Sequence, residues 1–355
     1  MLSFAIYRKP YETGITLVKQ SFGTDTHIQY AESDGNIPGF VVAPFNADDN
    51  TPIVFIKGDA ITQFDDISDF LKTDIYTLDK YSDLNSGVST DDDSSYADYL
   101  RDFDTYHASL IKGNFSKLVL ARRKKETRSD NTSPLRLFAE ACKKYPRLFI
   151  ALHSTPVSGT WLVASPELLL DNRDGICHTM SLAGTMKYEG ISTPQWSDKN
   201  IREQALVTEY INEVVQSYAD TSAVYGPATV RAGNLMHLRT DFTFTMREGA
   251  KFGEIVDRLS PTPAVCGIPK DKAKKFIIAN EHAPRSYYSG YSGPVRIEEK
   301  TSLYVSLRCM RIFTDSFFLY AGGGLLPDSD VQSEWHETES KMQTMLSIIK
   351  QPISR

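Results

Sequence analysis

The sequence predicts an α+β fold, and three observations carry that reading. Short apolar runs recur between Gly, Pro and Asn/Asp turns, as half-buried or buried strands do. Amphipathic segments with apolar residues at three- and four-residue spacing are interspersed among them. The strands come in runs joined by hairpin signals, which separates an α+β arrangement from a regularly alternating doubly wound one.

Residues 1–85 contain strand-like runs such as Gly39–Ala43 and residues 53–57, and no reactive cluster. The polar stretch NSGVSTDDDSS, residues 85–95, reads as an exposed acidic loop whose adjacent aspartates are solvated. A helix is expected over 96–112, with Leu100, Phe103, Tyr106 and Leu110 on its apolar face, Ser94 or Ser95 as cap, and Gly113-Asn114 as stop. A strand over 115–122 follows, and the run Arg122, Arg123, Lys124, Lys125 reads as its solvated end. Next come a helix over 134–145 and strands over 148–153, 160–164 and 167–171. A long helix is expected over Asp198–Tyr218, strands near 232–244, and a helix over Lys270–Asn280. Residues 302–313 and 317–321 read as a hairpin across Thr314, Asp315 and Ser316, and the last helix as Val331–Ile349.

Composition narrows the function class. The 355 residues carry a net charge of −6 and no long basic block, which speaks against a nucleic-acid partner. No run approaches the roughly 18 apolar residues of a membrane span, and MLSFAIYRKP lacks the apolar centre of a signal peptide. Cys142, Cys177, Cys266 and Cys309 are scattered without CxxC or zinc spacing, so they read as reduced thiols of a cytoplasmic protein.

Three ionisable groups fall where apolar residues are expected. The core stripe Val207, Ile211, Val214, Tyr218 continues back to Glu203. A carboxylate on such a stripe needs a cation, a metal or a proton, unless the helix end simply reaches water. In the last helix, Glu334, Glu337, Lys341, Met345 and Ile348 share one face; the alternative there is an exposed Glu337–Lys341 pair. Two helices that each offer Glu at the end of a core stripe suggest a shared Mg²⁺ site, since that ion prefers carboxylate oxygens. In KLVLAR, alternation puts Lys117 with Val119 and Ala121. It is either an edge charge or, if buried, a candidate base.

Ordered motifs over roughly residues 100–350 then resemble the chorismate-binding enzymes: SKLVLAR, ASPELLL, LAGT, KNIREQ, MHL, PTPAVCGIP, EHAPRSYYSG, SLRCMRI and AGGGLLPDSDVQSEWHETESK. The resemblance implies two large, mostly antiparallel sheets packed as a sandwich with helices outside. It implies residues 1–95 as a strand-rich part of the same fold, 96–355 as the catalytic region, and one compact domain overall. It implies Mg²⁺ held by Glu203 and Glu337, with Glu334 nearby. Gln204 departs from the family's usual His after the ligand Glu. The substrate's other carboxylate would meet Arg308, Lys341 and backbone N–H groups of a glycine loop at Gly322 and Gly324. Gly184, Thr185, His237 and Tyr288 match further substrate-binding positions. Among family reactions, Lys117 matches the water-activating Lys and Glu167 the general acid, while Ala183 stands where one group of amine-transferring relatives has a nucleophilic Lys. The resemblance therefore implies Mg²⁺-dependent isomerisation of chorismate to isochorismate. It further implies a monomer with no glutaminase subunit and no membrane, serving menaquinone as the more widespread use or siderophores. Salicylate synthase, anthranilate synthase and a binding-only relative are the alternatives. Cys266 reads as a packing residue.

Overall fold

The computed structural model describes residues 2–350 except 22–24, 27–36, 74, 90–91, 130–131, 189 and 191–193. Two nine-stranded sheets, antiparallel at every pairing, face each other. The first runs in space Gly267–Ile268, Lys117–Thr127, Ser316–Leu325, Cys309–Ile312, Gly159–Ser165, Phe149–Thr155, Ser3–Arg8, Ile15–Gln20, Ala60–Phe64. The second runs Ala219–Ala232, Leu235–Met246, Ile176–Lys187, Leu168–Arg173, Thr301–Val305, Tyr291–Val295, Gly39–Ala43, Val54–Lys57, Asp25–Thr26. In the second sheet a strand from near the C-terminal end, Tyr291–Val295, pairs with one from near the N-terminal end, Gly39–Ala43.

The alternation of side chains sorts the layers. In Ser3–Arg8, Phe4 and Ile6 point to an outer core under helices Ile75–Ser86, Pro134–Lys144 and Val331–Ile349, while Ala5 and Tyr7 point between the sheets. The second sheet packs its outer face on Asp198–Tyr218 and Phe252–Leu259. Leu118, Leu120 and Leu325 pack outward under Tyr96–Ile111 and Lys270–Asn280. The space between the sheets is aromatic: Phe149 of one stacks on Tyr304 of the other with centroids 4.0 Å apart, and Trp161, Tyr320 and Tyr288 form a continuous stack. Helices outside, two sheets inside, is the sandwich that the motifs imply.

Several expectations need correction. The helix at 96 begins at its capping box on Ser95, but its buried stripe is Tyr99, Phe103, Tyr106 and Leu110; Leu100 is only half-buried. Helices Ile75–Ser86 and Phe252–Leu259 and strands Ile176–Lys187 and Ala219–Ala232 were not foreseen. Asn85 and Ser86 belong to the first of those helices and not to the acidic loop. Asp91 lies outside the described residues. Asp93 accepts from the Lys125 amide at 3.3 Å, so this loop covers a strand edge.

Arg122 is no solvated strand end either. It is buried, lies over the Trp335 ring and pairs with Glu339. The expected hairpin strand 302–313 is two strands: Thr301–Val305 lies in the second sheet and Cys309–Ile312 in the first. The chain crosses between sheets at Ser306–Arg308, where Arg308 takes a left-handed φ of +44°. Such a residue cannot continue a ladder, and that breaks the apparent run.

No described helix is long and apolar enough to cross a membrane. Phe149 is fully buried in the inter-sheet stack. Phe149→Ala should lower the unfolding free energy by about 3–5 kcal/mol. Urea unfolding checks this, and a loss below about 1 kcal/mol would contradict a closely packed interface.

Candidate active site

A cavity opens between the sheets and is walled by residues from both. Glu167, Gly184, Thr185, Glu203, His237, Tyr288, Arg308, Gly322, Gly324 and Lys341, all singled out from sequence, lie on it. Lys117, Glu334 and Glu337 do not line it; they stand behind the glycine strand and Glu203.

Lys117 is fully buried, so it is not an edge charge. Its strand runs between Gly267–Ile268 and Ser316–Leu325, which closes both sides. The ammonium lies 3.0 Å from Glu203 Oε1. It has no hydrogen bond of proper geometry to it or to any other described group, which leaves it capacity for a further ligand.

The glycines explain how the charges fit. Gly322, Gly323 and Gly324 are not a loop but part of Ser316–Leu325, paired opposite Ala121, Leu120 and Val119. Their role is the space left by absent side chains. A Cβ on Gly324 would stand 2.1 Å from Glu203 Oε1 and 2.9 Å from Lys117 Cε. One on Gly323 would stand 3.0 Å from Glu334 Oε2, and one on Gly322 3.0 Å from the Tyr288 hydroxyl.

Three glutamates thus gather behind one strand, each with its own lysine: Lys117 with Glu203, Lys199 with Glu334, and Lys341 with Glu337 at 2.8 Å. Burial works to raise the Glu203 pKa, but Lys117, Lys199 and Lys341 outweigh it and hold the carboxyl below its usual range. For Glu334, burial and then the neighbouring Glu337 charge win, pushing it up to about 7. Among the described residues no group of three or more acidic, His or Cys side chains is drawn in around one point. The donors nevertheless suit Mg²⁺: all are carboxylate oxygens, and Glu334 Oε2 is buried without a hydrogen-bond partner.

Across the cavity stands Glu167, 1% exposed. Burial pushes its carboxyl up to about 7; a hydrogen bond donated by Thr262 Oγ1 at 3.1 Å, then Lys117 and Lys341, pull the other way. The backbone N–H of Glu167 donates to Ser165 Oγ at 3.1 Å, fixing the turn after the strand.

Arg308 sits at the sheet crossover. Its Nη1 donates to Ala232 O at 2.7 Å and its Nη2 to His237 Nε2. His237 Nδ1 in turn donates to Gly184 O at 2.9 Å. Burial first, then the Arg308 and Lys341 charges, hold His237 far below its usual pKa, so it is neutral and orients Arg308. Burial lowers Arg308 itself to about 10. Its described partners are neutral, so it is a buried cation that lacks an anion.

Several contributors were not singled out from sequence. Thr262 was hidden in an apolar segment, and Lys199 on a helix with other charges. Glu281 and Arg285 form a buried pair that caps the open edge of the Lys117 strand: Arg285 donates to Val119 O at 2.7 Å, and Glu281 accepts from the Ala121 amide at 2.9 Å. An isolated Glu-x-x-x-Arg gives no sign of such a distant task. Gln204 is buried and ties its helix to Ser181 at 2.9 Å. Cys266 is buried with its thiol pushed up to about 11, chiefly by burial, in keeping with packing.

Comparison with known proteins now decides the family. A family model described as "Chorismate binding enzyme" matches residues 36–350. The chain belongs to the chorismate-binding enzymes. It is 28% identical over 250 residues to "Isochorismate synthase MenF" of Escherichia coli K12, a match that covers 68% of this chain and 58% of that protein. It is 30% identical over 199 residues to "Isochorismate synthase EntC" of the same organism, covering 54% and 51%. The chain thus matches little more than half the length of these curated relatives. Among solved structures, the menaquinone-specific isochorismate synthase MenF of E. coli superposes with a TM-score of 0.78 at 22% identity, covering 98% of this chain and 89% of that one. Anthranilate synthase component I of Streptococcus pneumoniae superposes at 0.67 with 17% identity, covering 97% and 91%. These superpositions establish the fold of the chorismate-binding enzymes here.

Glu167 binds its proton more tightly folded than unfolded, so its stability contribution falls as pH rises from about 4.5 to about 7. Glu167→Gln should remove that slope and stabilise the fold at pH 8 by about 2–3 kcal/mol. Urea unfolding at pH 5 and pH 8 compares the two proteins; equal slopes would show that Glu167 is not held protonated.

Proposed function

We propose that this chain is an isochorismate synthase, converting chorismate to isochorismate with Mg²⁺. The observation that carries this is one cavity that combines a carboxyl poised near neutrality, Glu167, with a buried anion-seeking cation, Arg308, and a buried lysine just behind the wall. The names of the relatives support the reading.

In this proposal Arg308, oriented by His237, takes one substrate carboxylate as a bidentate partner. Glu203 and Glu337, with Glu334 behind, would hold Mg²⁺, which when bound supplies positive charge for the second carboxylate. Lys117 acts as the free amine: once the ammonium has given its proton to solvent, Nζ takes a proton from the water that attacks C2. Glu167 gives its proton to the C4 hydroxyl, which leaves as water while the ring double bonds shift. One water is consumed and one released, so the reaction is an isomerisation. Thr185 and Gly184 line the cavity beside His237, and Tyr288 closes it over Gly322. Ala183 on the wall offers no amine, which disfavours the amine-transferring reaction that uses a nucleophilic Lys at that position. Menaquinone is the proposed destination of the product, as for the menaquinone-specific E. coli enzyme. A cytosolic monomer that needs no glutaminase subunit completes the proposal.

Incubation with chorismate and Mg²⁺ followed by product separation tests it. Isochorismate is expected; salicylate plus pyruvate, or anthranilate when ammonia is supplied, would replace this reading with another. Lys117→Ala should reduce kcat by about 10²–10⁴-fold, and retained activity would remove Lys117 as the base. Thr262→Val removes the hydrogen bond that favours ionised Glu167. The alkaline limb of the pH–kcat profile should then move upward, and an unmoved limb would argue against Glu167 as the acid.

A further inference from the structure

A second, more open cavity abuts the catalytic one: Pro166 and Leu182 line both. Part of its wall is apolar, with Leu168, Met180 and Tyr304. Its charged side chains are mostly basic: Lys9, Arg147, Arg173, Arg231 and Arg239 against Glu12 and Asp171. Arg173 is neutralised by Asp171 at 2.9 Å, and Arg239 by Asp241 at 2.8 Å. Arg231 contacts only neutral groups, donating to Gly233 O at 2.9 Å and lying over the Tyr188 ring. Neither Lys9 nor Arg147 is ion-paired with a described residue. Lys9 feels Glu12 and Glu298, but Arg173 and Lys300 oppose them. Three cations against Glu12 leave this cavity positive on a chain whose net charge is −6.

The position matters as much as the sign. Ala232 lies on this cavity's wall, and its carbonyl accepts from Arg308. The buried guanidinium of the catalytic cavity therefore stands just behind the basic one. A dianion approaching the molecule is repelled by its overall charge, but within a Debye length of about 8–10 Å the local cations dominate. A cleft of one sign with low-dielectric walls concentrates such a ligand.

We propose that this basic cavity is an antechamber that gathers a small ring-bearing dicarboxylate and hands it to Arg308. The inference rests on the reading above that the substrate is a dicarboxylate. Lys9, Arg147 and Arg231 supply the field, and the apolar wall accepts the ring.

The test compares the whole chain with the triple variant Lys9→Gln, Arg147→Gln, Arg231→Gln, none of which touches the catalytic cavity. At low ionic strength kcat/KM for chorismate should fall by about tenfold with kcat unchanged. At about 0.5 M salt the difference should close, because screening removes the field. Equal kcat/KM at low salt, or a gap that survives high salt, overturns the proposal. If the triple variant does not fold, the three single variants carry the test, each with about a two- to threefold loss expected. Equilibrium dialysis with chorismate reads capture independently of product. Weaker retention by the variant supports the antechamber and equal retention overturns it. A wild-type protein that retains chorismate but forms no isochorismate overturns the functional reading alone, and one that retains none overturns both.

Discussion

A fully buried ammonium beside a buried carboxylate, Lys117 against Glu203, is the constraint around which the rest is arranged. Desolvating two charges costs several kcal/mol each, and mutual attraction offsets it only when the geometry is good. The pair joins a strand of the first sheet to a helix packed on the second, so it exists only when the sandwich is closed. It also needs Gly324, since any Cβ there would overlap the Glu203 carboxylate. The glycine run, the two helices that bring glutamates and the edge-capping Glu281–Arg285 pair all serve to keep these charges in place.

The other wall of the cavity uses burial to the opposite effect. Glu167 has no close cation of its own, so desolvation keeps its proton near neutral pH. Glu203, also buried, lies among three lysines and stays ionised. The same side chain is thus an acid on one wall and a carboxylate on the other, and the positions of lysines decide which. Arg308 completes the asymmetry as a buried cation whose neighbours are neutral. The site stores uncompensated charge of the sign that a dicarboxylate would neutralise, at a cost to stability that the aromatic inter-sheet core offsets.

Much of the site was legible because its residues violate helical or strand patterning. Glu203 extends an apolar stripe, Glu334 and Glu337 share the face of Met345, and Lys117 begins an apolar strand; all four end up in one charge cluster. Helices with strong periodicity and caps, Asp198–Tyr218 and Val331–Ile349, fall at the expected residues. Strands were harder to read. Those buried on both faces show no polar alternation, and Ala219–Ala232 is largely exposed and so lacks an apolar signal. The crossover at Arg308 was hidden because a single left-handed residue leaves no mark on a run of apolar letters.

Residue order by itself determined the α+β class, the main helices and the family whose ordered motifs the chain shares. Those depend on local periodicity and on spacing that survives without coordinates. Tertiary structure alone decided that Gly322–Gly324 form a strand that makes room, that Glu281 and Arg285 stand in for a missing neighbour strand, and that Glu203 and Glu334 meet Lys117 and Lys199. These depend on which distant segments lie side by side and on how much water they exclude. Both are properties of the closed sandwich and not of any stretch of chain.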